Sequence, residues 1–403
     1  MRGRDMKFLV TLSAITVVIA LAWAAVEARA GTGAPAQMVQ APRFEVDPMW
    51  PKPLPNHWVL GNVIGVGVDA NDHVFIVHRV DTVLPGTEDG AAGSSPISEC
   101  CVAAPPVIEF DPEGSVVKAW GGPVADGKYV WPSSNHGISV DDKNNIWIGG
   151  NGTGNATSPG ADSHILKFTH DGVFLQQIGK PGLSADSRSL EHFGRVAKIS
   201  FDIPSQEAYI ADGYGNKRVA VVDMTTGAIK RFWGAYSNVP SDTNYGAYSP
   251  DSTPIPQFRN PVHCAEPSND GFVYVCDRPN DRIQVFTKAG KFVKESRIYP
   301  QTRGDGSVWD IAFSKDPRQK YIFLADGKNE RIYVMDRQSL EILTMFGDGG
   351  RQPGTWFAVH SIATDSKGNI YTTETYEGKR VQKFIAKGIG SVPRVQGVVW
   401  PKR

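Results

Sequence analysis

The stretch "PVHCAEPSNDGFVYVCDRPNDRIQVF", residues 261–286, holds alternating Val, Tyr, Phe and Ile around a polar centre at Ser268-Asn269-Asp270-Gly271. Two such runs about a turn cluster predict a β-hairpin. A histidine opens its first strand and an arginine closes its second, and a buried hairpin needs neither. Five other stretches follow the same plan, beginning at Ile64 ("IGVGVDANDHVFIVHR"), His136 ("HGISVDDKNNIWIGG"), Ala197 ("AKISFDIPSQEAYIADGYGNKR"), Trp309 ("WDIAFSKDPRQKYIFLADGKNER") and His360 ("HSIATDSKGNIYTTETYEGKR"). Several add a third strand after an N-x-R-I/V connection. Self-similarity at this period signals a repeat architecture, and four-stranded units of this length are propeller blades. The expected fold is all-β, a six-bladed β-propeller whose innermost strands line a central channel. Closing the ring removes exposed sheet edges. A terminal strand is expected to seal it, from "RFEVDPMW" (43–50) or "RVQGVVW" (394–400).

The bulk composition agrees with many short strands. Gly (42) and Pro (28) are spread along all 403 residues, as turns require. Lys plus Arg and Asp plus Glu each number 42, a balance that favours neither nucleic acid nor a polybasic membrane patch. Residues 1–30 read as a signal peptide: Arg2, Arg4 and Lys7 precede the apolar run "FLVTLSAITVVIALAWAA", and Ala28-Arg29-Ala30 offers a cleavage site. An uncleaved membrane anchor is the alternative reading of that run. Export to the periplasm or outside the cell is expected, with residues 31–60 as an N-terminal extension and 61–403 as the propeller. Residues 82–106 form an irregular insertion, and 149–162 and 236–258 are expected to be long loops. Cys264 and Cys276 stand equidistant from the hairpin turn and can face each other; the pairing of Cys100, Cys101, Cys264 and Cys276 stays open.

Aligned at the residue that opens the inner strand, the six units read Ile64, His136, Ala197, His263, Trp309, His360. Histidine takes the second, fourth and sixth places. Alternate blades of a six-fold ring lie about 120° apart. Three imidazoles at one height, aimed at the axis, make a trigonal face suited to a zinc-like ion with an open fourth position. A single channel histidine needs no metal. Three of the chain's nine sharing one repeat phase call for a common cause. The other six (His57, His73, His78, His164, His170 and His192) show no such pattern.

Arg79 ends a strand in "VFIVHR", Arg278 ends one in "VYVCDR", and Tyr214 follows one in "YIADGYGNKR". Second strands end at one face of the ring, so these three belong near the metal. Two guanidiniums suit a carboxylate, and a phenol can serve as a base. Asp212, Asp277 and Asp326 recur at one blade position and read as turn-forming. Taken together, these motifs resemble the peptidyl-α-hydroxyglycine α-amidating lyase family, within the wider class of NHL-repeat six-bladed propellers, from about Val63 to Phe384. The resemblance implies a catalytic zinc on His136, His263 and His360, a catalytic tyrosine at Tyr214, and active-site arginines at Arg79 and Arg278. It also implies a structural calcium held partly by the backbone carbonyls of Val66 and Ile138. The chain departs from the family where Ser361 stands in place of the calcium carboxylate, where Gly215 stands in place of the cysteine after the tyrosine, and in a longer insertion after "WIGG" (147–150).

The reaction implied is cleavage of an α-hydroxyglycine carbinolamide to a primary amide and glyoxylate, with zinc as the cofactor. The partner expected is a small-molecule or peptide substrate bearing a carboxylate; no partner protein is expected, and a membrane only if the leader is retained. Two other readings stand beside it: a metal-dependent propeller hydrolase or lyase for another small metabolite, and a non-catalytic NHL-repeat scaffold.

Overall fold

The computed structural model describes residues 37–156 and 158–401. The N-terminal segment read as a signal peptide lies outside them. Among the described residues no helix is long and apolar enough to cross a membrane.

Six four-stranded antiparallel sheets follow one another along the chain. Their innermost strands are Asn62–Val68, Asn135–Val140, Val196–Asp202, Val262–Pro267, Asp310–Phe313 and Val359–Thr364, numbered here as blades 1 to 6. Each touches the innermost strands of both neighbours, and that of blade 6 touches that of blade 1. The molecule is therefore a closed six-bladed β-propeller.

Val, Ile, Tyr and Phe form these strands because side chains that pack well on a pleated surface have sheets on both sides. Second strands are buried throughout, as in Tyr321–Asp326. Outer strands such as Phe292–Arg297 are only partly buried. Six hydrophobic clusters fill the spaces between adjacent blades. One packs Tyr274 and Ile283 of blade 4 on Ile322 and Leu324 of blade 5; another packs Phe75 and Val77 of blade 1 on Ile146 and Ile148 of blade 2.

The ring closes through its N-terminal strand. Met38–Asp47 pairs antiparallel with Val381–Pro393 and forms the outer strand of blade 6. Of the two termini weighed as the seal, the N-terminal one takes the outer position, and the propeller starts within the stretch expected to be an extension. Cys264 and Cys276 lie directly opposite in the blade 4 hairpin and are joined, as are Cys100 and Cys101 in the insertion. The insertion returns to the sheet through a short parallel pairing of Val102–Ala103 with Trp58–Val59.

One irregularity positions everything that follows. In five blades the pairing of first and second strands slips within one residue of the same repeat place: at Val63/Gly65, His136/Ile138, Val196/Lys198, Val262/Cys264 and Val359/Ile362. A bulge leaves a residue outside the ladder and re-aims it. Here the re-aimed groups face the axis.

Candidate metal centre and active site

His136, His263 and His360 converge on the axis, each almost fully buried. Their ring centroids are 5.3, 4.8 and 4.9 Å apart, and one ring nitrogen from each lies within 4.8 Å of the others. The three intervening blades supply what orients them. His136 Nδ1–H donates to the Ala197 carbonyl at 2.7 Å, His360 Nδ1–H to that of Ile64 at 2.6 Å, and His263 Nδ1–H to that of Trp309. A carbonyl only accepts, so each bond fixes the proton on Nδ1 and turns the Nε2 lone pair inward, as metal-ligating histidines require. Ile64, Ala197 and Trp309 occupied the odd places of the sequence alignment. Their part is played by backbone oxygens and left no mark on residue type.

Burial, reinforced by the charges of neighbouring His360 and Arg79, pushes His136 well below the ordinary imidazole range. Burial and Arg278 do the same to His263. Burial, Arg278 and Arg79 bring His360 down to about 3. All three imidazoles are thus neutral at physiological pH, the state in which they bind metal. The group fits a divalent ion with three nitrogen ligands.

Tyr214 stands against this triad. Its hydroxyl lies 2.9 Å from His136 Nε2 and 3.1 Å from His263 Nε2. The turn carrying it is held by buried Asp212, which accepts from Gly194 N–H, Asn216 Nδ2 and Arg218 Nε. Asp277 braces the corresponding turn of blade 4 through Arg259 N–H, Asn280 and Arg282. Asp326 bonds Lys328 N–H and Asn329 in blade 5. These aspartates hold turns together.

Arg79 and Arg278 sit on blades 1 and 4, opposite one another across the ring. Arg79 is fixed by the Asn135 carbonyl at 3.3 Å and Asn151 Oδ1 at 2.7 Å. Arg278 is poorly satisfied: it meets Asp305 only at 3.4 Å, lies over the Trp309 ring at 4.4 Å, and its buried Nε has no partner. A buried guanidinium with an idle donor fits an absent anion. Beside Arg278 lies a cleft of about 310 Å³ bordered by Tyr245, Tyr248 and Arg259. Beside Arg79 lies one of about 570 Å³ walled by Trp131, Pro105, Pro106 and Pro123.

One residue at this face was missed. Tyr376, half-exposed on the blade 6 turn, has a left-handed backbone (φ 48°), uncommon for a bulky side chain. It lies within electrostatic reach of Arg79, Arg278 and Tyr214. The signal was present in the repeat: "ETYEGKR" of blade 6 parallels "DGYGNKR" of blade 3. Opposite blades thus carry paired arginines and paired tyrosines.

The calcium expectation fares differently. Val66 and Ile138 do line the channel beyond the triad, together with Lys198 and Glu266. Calcium needs six to eight oxygens, carboxylates among them. Glu266 and Asp310 are already bound to the Lys198 ammonium at 2.6 and 2.7 Å, and Asp69 and Asp141 accept from backbone N–H groups of their own turns. These residues do not fit a calcium ion. The remaining histidines have local duties: buried His78 bonds Gly61 N–H and the Pro105 carbonyl, and His73 and His170 share the buried Glu109.

No family model matches the chain. Individual proteins do. Peptidyl-alpha-hydroxyglycine alpha-amidating lyase 1 of Drosophila melanogaster is 24% identical over 370 residues, which cover 84% of this chain and 59% of that protein. NHL repeat-containing protein 3 of Mus musculus is 23% identical over 363 residues, 86% of this chain and 85% of its own. The peptidylglycine alpha-amidating monooxygenase of Rattus norvegicus is 24% identical over 375 residues, 85% of this chain but 33% of its own length. The chain is similar to amidating lyases and to NHL-repeat proteins. It spans less than two thirds of the amidating relatives just named, and 85% of the NHL-repeat one.

Proposed function

We propose that this propeller is a metal-dependent lyase that cleaves an α-hydroxyglycine carbinolamide, N–CH(OH)–COO⁻, to a primary amide and glyoxylate. The observation that carries the reading is the Tyr214 hydroxyl within hydrogen-bond reach of two triad nitrogens, with an arginine on either side. His136, His263 and His360 hold the ion, for which zinc is the choice their three nitrogens favour. When bound, it supplies a Lewis acid that acidifies a hydroxyl beside it.

Arg79 and Arg278 grip the substrate carboxylate, and Arg278 gains the partner its Nε lacks. Tyr214 serves as the base that takes the proton of the α-hydroxyl. The carbon–oxygen bond becomes a carbonyl, the carbon–nitrogen bond breaks, and its electron pair stays on nitrogen. That nitrogen then needs a proton. Tyr376 supplies it: burial and nearby Asp305 push its phenol above the usual value, so it is protonated at neutral pH. Half-exposed, it regains the proton from water. No electrons leave the substrate, so no redox cofactor enters.

The test is glyoxylate release from N-benzoyl-α-hydroxyglycine by the purified metal-loaded protein. Release that disappears in Tyr214→Phe with metal content unchanged is the expected result. A full metal complement with no glyoxylate overturns the substrate assignment. A scaffold reading draws support from the mouse relative, which matches over most of its length and is named for its repeats. It requires that His136→Ala change neither metal content nor any activity.

A further inference from the structure

One residue further along the inner strands, the hub has a second layer. Lys198 follows Ala197, Asp310 follows Trp309, and Ser361 follows His360, so each is the direct neighbour of a residue that builds the triad or orients it. The Lys198 ammonium lies 2.6 Å from Glu266 Oε1, 2.7 Å from Asp310 Oδ1 and 3.2 Å from the Ile311 carbonyl. Asp310 is further bound through Oδ2 to Ser361 Oγ at 2.7 Å and Ile362 N–H at 3.0 Å, and Glu266 to Ser200 Oγ at 2.8 Å. Blades 3, 4, 5 and 6 are thereby tied through one buried nitrogen.

Three oxygens from two neighbouring blades, Glu266 of blade 4 and Asp310 and Ile311 of blade 5, around a single positive atom of a third make a cation site. Here the cation is covalently attached. We propose that the Lys198 ammonium is a built-in hub cation that stands where a second metal ion would sit, leaving the histidine triad as the hub's one metal position. The donors argue for this. Two carboxylates brought together off the solvent repel each other unless a charge lies between them, and removing that charge leaves them uncompensated. Ser361, at the place where a ligating acid is expected by resemblance, is neutral and donates to Asp310 instead. A third carboxylate there would add a further charge against Asp310, which Ser361 instead satisfies.

The proposal is independent of the lyase reading, and its test uses no activity measurement. Wild-type protein and Lys198→Ala are dialysed against calcium, and metal content and thermal midpoint are measured with and without it. Wild type takes up no calcium, and its midpoint does not move. Lys198→Ala vacates the position between the carboxylates. Its midpoint falls by roughly 5–15 °C, and it then binds about one calcium per chain, recovering at least half of the loss. Lys198→Met, which fills the space without charge, loses stability and gains no calcium response. Stoichiometric calcium in the wild type, with a raised midpoint, overturns the proposal. So does a Lys198→Ala variant that takes up no calcium, or that fails to fold both with and without it.

Discussion

Two layers of the hub, adjacent residues along the same strands, handle charge in opposite ways. In the outer layer three imidazoles are kept neutral by burial, a phenol bonds two of them, and Arg278 keeps a buried donor without a partner. In the inner layer Lys198, Glu266, Asp310 and Ser361 satisfy one another. The first layer leaves polar groups open; the second closes its own. Both are set on the same innermost strands, which produce a site or a strut according to whether the polar groups they gather are left open or closed.

The comparison can be broken at its open end first. His263→Ala removes a ligand and should abolish both stoichiometric metal binding and glyoxylate release, a loss of more than about 1,000-fold. A variant retaining both would show that the triad does not hold the ion. Tyr214→Phe should lower kcat by about 10²–10⁴-fold while metal content stays constant; equal loss of metal would make the phenol a structural prop. Arg278→Ala should raise KM for the carboxylate substrate by about 10–100-fold with a smaller change in kcat. A KM left unchanged would mean that its idle donor serves something other than the anion. Tyr376→Phe should cost about 10-fold in kcat and remove the alkaline fall of the pH–rate profile. An unaltered profile would take the second tyrosine out of the reaction.

The smallest effect is on acid stability of the metal-free protein. Above the ordinary imidazole value near 6.5, folded and unfolded chains both keep these histidines neutral. Below it the unfolded chain binds protons that the folded chain refuses, His360 doing so down to about 3. Stability should fall as pH drops through that window. Replacing His360 by Gln should flatten the slope, read by denaturant titration at several pH values.

Much of the site was legible because repeats convert spacing into angle. Histidine at every second unit, once six units are counted, is enough to place three imidazoles around an axis, and Arg79, Arg278 and Tyr214 follow from ending equivalent strands. What escaped notice has physical reasons. The Ile64, Ala197 and Trp309 carbonyls orient the triad through atoms common to every residue. Tyr376 was visible only by aligning the two turns that share its length. Lys198 and Glu266 belong to different blades and become partners only when the channel closes. The choice between the two candidate seals stayed open, since an edge strand has the same alternation at either end of the chain.

Sequence alone determined the number of blades, the phase of the histidines and the face on which the charged side chains end. These depend on periodicity, which is a local property. Tertiary structure decided which carbonyls meet which imidazoles, which terminus closes the ring, and that an ammonium fills the lower hub. Those outcomes depend on distances between strands far apart in the chain, set by how six twisted sheets pack around one axis.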